Sequence, residues 1–191
     1  GKIEEYSLPA AARDPHTPLI RKGLVWFTVQ QSNMYGRFDP RTREARVWTV
    51  PTKRALPYGM VNAPDGSIWV ALFGTNKLGR IDAESGGLTE ITLPQNGARP
   101  RRLVVDESGM VWYSDFARGY LGSYNPKNRS FKEWQQVLPN AACHVAVLDR
   151  LVHRVEVVAI EGESYRLKES KARAALKAEQ RRAARAKPGK S

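Results

Sequence analysis

Short runs that alternate apolar and polar residues, each closed by turn residues, fill most of the chain up to Pro139. Val25-Trp26-Phe27-Thr28, Ile68-Trp69-Val70-Ala71 and Val111-Trp112-Tyr113-Ser114 are rich in β-branched and aromatic residues. Those residue types pack well on a pleated surface. A two-residue period bounded by Gly, Pro, Asn and Asp predicts short strands joined by tight turns.

The runs recur at a fixed interval. Trp26, Trp69 and Trp112 stand 43 residues apart, as do Gly23, Gly66 and Gly109, each three positions before its tryptophan. Gly36-Arg37-Phe38-Asp39, Gly79-Arg80-Ile81-Asp82 and Gly122-Ser123-Tyr124-Asn125 keep the same phase. Pro51 and Pro94 close two copies, and Leu8-Pro9 and Leu138-Pro139 join the series with slips of one or two residues. In the second copy the pattern predicts strands over 58–63, 67–72, 77–82 and 88–93. Pro64-Asp65-Gly66, Gly74-Thr75-Asn76 and Ser85-Gly86-Gly87 lie between them as turns. Four antiparallel strands every ~40–45 residues mark a β-propeller blade. The predicted fold is all-β: a partial β-propeller of about three to four four-stranded blades over residues 1–160, then a basic helical or disordered tail over 161–191. The repeated tryptophans are expected on second strands as core between neighbouring sheets, rather than as lining of a ligand site. The Arg and Asp of Gly-Arg-x-Asp are expected on the third strand, near enough to pair, which adds little energy at a surface.

The repeat also carries a resemblance. Pro57–Gly59, Pro64–Val70, Leu78–Asp82 and Glu90–Pro94 make a blade pattern that resembles the streptogramin B lyase family, the virginiamycin B lyase-like proteins. Val25–Thr28 with Gly36–Pro40, and Val111–Ser114 with Leu121–Pro126, repeat the match, so it covers about residues 1–139. The resemblance implies a six- or seven-bladed bacterial propeller with a site at the mouth of its channel. It implies opening of a streptogramin B lactone by elimination: a base removes an acidic α-proton and the ester oxygen leaves with no water added. A divalent ion, typically Mg²⁺, would polarise the carbonyl. The family's catalytic His and Glu lie in later blades, so no catalytic residue and no metal ligand is assigned in this chain. The expected function is that of a virginiamycin B lyase-like protein, truncated and catalytically incomplete. The alternative is a noncatalytic propeller that binds a ligand or partner.

One column of the repeat carries candidate chemistry. Tyr58 follows Pro57 and Arg101 follows Pro100, 43 residues on; the next step is His144, and one period earlier, with a slip of one, is His16. The first strand of a blade commonly starts beside the central channel. The column His16, Tyr58, Arg101, His144 is therefore a candidate ligand-binding site for an anionic or carbonyl-bearing small molecule. Arginine donates to oxygen, and histidine changes charge near neutral pH. The other reading, which residue types alone favour, is polar caps at blade edges. Cys143, the single cysteine, is read as a small buried residue and not a nucleophile, and it excludes an intrachain disulfide.

Charge marks where the pattern stops. The 191 residues hold 31 Lys or Arg and 19 Asp or Glu, a formal charge of +12. Half of that excess lies in residues 140–191, and from Arg166 to Ser191 ten cations face only Glu169 and Glu179. Ala, Lys and Arg there favour helix without an apolar stripe to dock it. The register persists to Asp149, but Val152 and Val155 stand where the repeat calls for Gly and Trp. Residues 151–160 can still form one strand pair or an edge strand. A frameshift near residues 140–150 is the expected cause of the truncation. Ten cations allow salt-sensitive, nonspecific nucleic-acid binding, but no aromatic in the tail offers stacking, so nucleic acid is not the expected partner. An open propeller is expected to allow self-association through its unpaired edge. No run of ~18 apolar residues is present, so no membrane-spanning helix is predicted. The first residues show no signal peptide, and nothing in the chain indicates a compartment.

Overall fold

The computed structural model describes residues 3–135, and every described element is a strand. Twelve strands form three four-stranded antiparallel sheets, each in sequence order. The first blade holds β1 (Pro15–Arg21), β2 (Leu24–Val29), β3 (Met34–Asp39) and β4 (Glu44–Thr49). The second holds β5 (Pro57–Asn62), β6 (Ile68–Leu72), β7 (Lys77–Ile81) and β8 (Leu88–Thr92). The third holds β9 (Pro100–Val105), β10 (Val111–Asp115), β11 (Tyr120–Asn125) and β12 (Ser130–Gln135). The four strands expected in the second copy are therefore present, with ends moved by one residue at most. The expected strand at 151–160, Cys143, His144 and the basic tail lie outside the described residues.

Position within a blade sets the burial pattern. The outer strands β4, β8 and β12 alternate exposed and partly buried residues, as strands with one wet face should. β6 is buried at all five positions, because its sheet is covered on both sides by neighbouring blades. Trp26 on β2 is fully buried with Met60, Ile68, Val70 and Ile81 of the second blade. Trp69 on β6 packs in the same way with Leu103, Val111, Tyr113 and Tyr124 of the third. Trp26 and Trp69 do lie between sheets. Trp112 on β10 is only partly buried and belongs to none of the buried clusters of the described residues; it stacks on Trp134 at 5.6 Å.

The glycine that opens each Gly-Arg-x-Asp segment has a packing cause. A Cβ at Gly36 would stand 2.6 Å from the Phe27 ring, at Gly79 2.7 Å from Val70, and at Gly122 2.0 Å from the Tyr113 ring. Phe27, Val70 and Tyr113 are themselves 43 residues apart. Each is the cross-strand partner of its glycine, so the third strand gives up a side chain to seat a large one on the second. The expected Arg–Asp pairing within this segment is not what forms. Asp39 and Asp82 accept backbone N–H groups of the next turn, from Arg41 and from Glu84 and Ser85. Arg80 reaches back to Asp65 at 2.8 Å, and Arg37 lies over the Trp26 and Trp48 rings while donating to carbonyls at Ala83 and Glu84. On a strand, Arg and Asp two positions apart share a face, but the turn amides and the neighbouring blade offer better partners.

Candidate functional site at the starts of the inner strands

The first strands β1, β5 and β9 are neighbours in space, so residues at their starts share one end of the blade stack. Each start is irregular. Pairing with the second strand shifts between Pro15 and Pro18, between Pro57 and Met60, and between Ser114 and Asp115 opposite Pro100–Arg102. His16, Tyr58 and Arg101 each fall at the bulge. A bulge re-aims a side chain that a regular pleat would turn into the sheet. Opposite it stand Thr28, Ala71 and Ser114, again 43 residues apart. The Thr28 hydroxyl accepts from the Thr17 N–H and donates to the Tyr58 carbonyl, both at 3.1 Å. The Ser114 hydroxyl accepts from the Arg102 N–H at 3.2 Å. These hydroxyls satisfy backbone groups that the bulges take out of the ladder.

The bulges bring three of the four predicted column residues together. The His16 ring lies 4.3 Å from the Tyr58 ring, and the Arg101 guanidinium sits 5.1 Å from the same ring and donates to the Tyr58 hydroxyl at 3.2 Å. His144 lies outside the described residues. The sequence reasoning missed three members. Arg102 lies 5.2 Å from the Tyr58 ring. Phe73 stands 5.7 Å from Tyr58 and 5.8 Å from Phe116, which in turn lies 4.8 Å from the Arg101 guanidinium. Phe73 and Phe116 are 43 residues apart, directly after β6 and β10, so the period alone could have found them. Tyr58 thus has two guanidiniums, an imidazole and a phenyl ring around it. No hydrogen bond or ion pair joins a carboxylate to this cluster among the described residues; nearby Asp115 is held by Arg118 and by the Arg99 N–H.

A second concavity, of about 370 Å³, opens at the opposite end, among the β1–β2, β5–β6 and β7–β8 turns. Two ion pairs lie within it: Arg80 pairs with Asp65 at 2.8 Å and Lys22 with Glu84 at 2.9 Å.

Comparison with known proteins places these blades. The sequence profile of the virginiamycin B lyase family matches residues 1–153. The chain belongs to that family. A catalytically inactive virginiamycin B lyase from Staphylococcus aureus, solved with quinupristin, is similar at 27% identity and a TM-score of 0.66, over 73% of this chain and 47% of that one. A streptogramin B lyase structure is similar at 28% identity and 0.67, over 74% and 47%. The chain thus spans about half the length of the lyases it matches. A segment of 44 residues is also 41% identical to an ATP-binding protein of an insertion sequence from Geobacillus stearothermophilus, covering 23% of this chain and 18% of that protein.

The cluster does not suit the Mg²⁺ that lyase resemblance implies. Magnesium takes oxygen ligands in octahedral geometry. The cluster offers two guanidiniums and one imidazole, and among the described residues no three His, Cys, Asp or Glu side chains come together.

Proposed function

We propose that this chain is the opening half of a streptogramin B lyase-type propeller. It presents the Tyr58 cluster to a carbonyl-bearing ligand and does not open a lactone by itself. The observation that carries this reading is the convergence of bulge residues from three blades on one space, in a chain of lyase family whose blades match about half of each solved lyase. Elimination needs a base at the α-carbon and a donor or cation at the developing oxyanion. Arg101 is a donor of the second kind. The base and any magnesium would have to come from residues outside the described blades.

The test is incubation of the full chain with a streptogramin B and magnesium, followed by chromatography and mass spectrometry. Elimination yields a linear isomer of unchanged mass, whereas hydrolysis yields a product heavier by one water. The expected result is neither product, together with binding detected by calorimetry. A linear isomer overturns the incomplete-enzyme reading, and absence of binding overturns the ligand surface. The noncatalytic binding reading makes one further demand, that binding is indifferent to magnesium.

Loss of the repeat after Asp149 supports truncation. Translating the other two frames of the gene decides: blades restored beyond residue 140 support the frameshift, and their absence refutes it.

A further inference from the structure

We infer that Arg101 and Arg102 form an anion site that takes a carboxylate carried on a flat apolar group. This inference goes beyond the lyase reading and stands without it. Successive residues of a regular strand point to opposite faces. The bulge at Arg101 breaks that alternation, and both guanidiniums come to the Tyr58 ring, at 5.1 and 5.2 Å. Two like charges on one ring are stable together when an anion lies between or beside them.

The protein supplies no such anion among the described residues. The ion pairs there use Lys22, Arg41, Lys77, Arg80 and Arg118, never Arg101 or Arg102. Asp115, the nearest acid along β10, is fully buried and committed to Arg118 and the Arg99 N–H. The Nε of Arg102, like that of Arg21, is shut from solvent without a hydrogen-bond partner, so a ligand would meet the Nη atoms of Arg102. A guanidinium matches a carboxylate with two parallel N–H bonds, which a lysine cannot do. The remaining walls are flat: Tyr58, Phe73, Phe116 and the His16 ring. Phe116 is 39% exposed, so part of this side chain is open to a ligand. Guanidiniums select the charge, and the rings select a planar body rather than a small ion such as acetate.

The test is calorimetric titration of the full chain with 2-naphthoate, 2-naphthamide and acetate at low salt. The expected result is naphthoate binding at least about tenfold tighter than either of the others, weakened by added salt. Arg102→Gln should lose about tenfold in naphthoate affinity and leave weak naphthamide binding unchanged. Arg101→Gln should do the same, and unchanged circular dichroism of both variants reports an intact fold. Equal affinity for naphthoate and naphthamide, no naphthoate binding at all, or full affinity in both folded variants would overturn the inference. Because no streptogramin enters the experiment, its outcome is separate from that of the lyase assay.

Discussion

Trp69 and Trp112 occupy the same repeat position in different surroundings, so replacing each by alanine should give very different losses. Trp69 is 1% exposed, packs with Leu103, Val111 and Tyr113, and meets the Tyr124 ring edge-on at 5.8 Å. Removing a fully buried tryptophan costs about 3–5 kcal/mol, lost burial and residual cavity together. Among the described strands the second blade meets the third mainly through β5, β6 and β9, so this loss also loosens those two blades from each other. Trp112 is half-buried, stacks on a partly exposed Trp134, and donates to Asp106 at 2.9 Å. The Asp106 carboxylate keeps the N–H groups of Ser108 and Met110 without it, so the turn survives. A stacked pair and one hydrogen bond to a charged but solvent-facing carboxylate give about 2 kcal/mol in total. Urea unfolding at micromolar concentration, followed by far-ultraviolet circular dichroism, measures both. Both variants share one slope of about 1–3 kcal/mol per molar urea, so Trp69→Ala should lower the midpoint by one molar or more, and Trp112→Ala by about half as much. Equal losses would refute the reasoning, since they would mean that the outer face of the third blade is covered as fully as the inner ones.

Three further outcomes follow from particular contacts. Gly122→Ala places a methyl group about where the Tyr113 ring lies, and should cost about 1–3 kcal/mol in the same unfolding experiment. Partial burial pushes the Glu90 carboxyl up, but bonds from Lys77 at 2.7 Å and from Thr52 at 2.6 and 3.0 Å hold it below its ordinary range. A depressed folded value gives stability that is present above the unfolded value of about 4.3 and is lost as pH falls through the folded one. Glu90→Gln should therefore flatten the acid limb of a stability–pH curve, and an unchanged limb would count against the contact. Burial pushes the Tyr35 hydroxyl up to about 12, while it donates to the Gly86 carbonyl at 2.8 Å. Its stabilisation is full below about pH 10, the unfolded value, and is lost as pH rises through the folded one. Spectroscopic titration of Tyr35→Phe against the parent should remove a late-ionising tyrosine.

The blades were legible because their causes are local. A turn glycine three residues before each tryptophan, a third-strand glycine opposite Phe27, Val70 or Tyr113, and a closing proline all repeat in the chain. The predicted column was legible in part. His16, Tyr58 and Arg101 showed through the Pro-x pattern, and Phe73 with Phe116 showed in the period but carried no charge to draw attention. Arg102 was hidden for a physical reason. Regular alternation would turn it away from Arg101, and the bulge that prevents this depends on the pairing of β9 with β10, not on β9 alone. The partners of Arg37 and Arg80 were hidden likewise, because they lie on another blade or another turn.

The central claim is that these three blades are the first half of a lyase-type ring, able to contribute to it but not to act alone. Its most direct test is co-expression of this chain with the later blades of the Staphylococcus aureus virginiamycin B lyase. Linearised streptogramin B in the presence of magnesium is then measured by mass spectrometry. The account predicts that the two polypeptides copurify and that the linear isomer of unchanged mass forms only with both present. Linear product from this chain alone would contradict it, as would failure of the two to copurify, or a copurified pair that leaves the lactone closed.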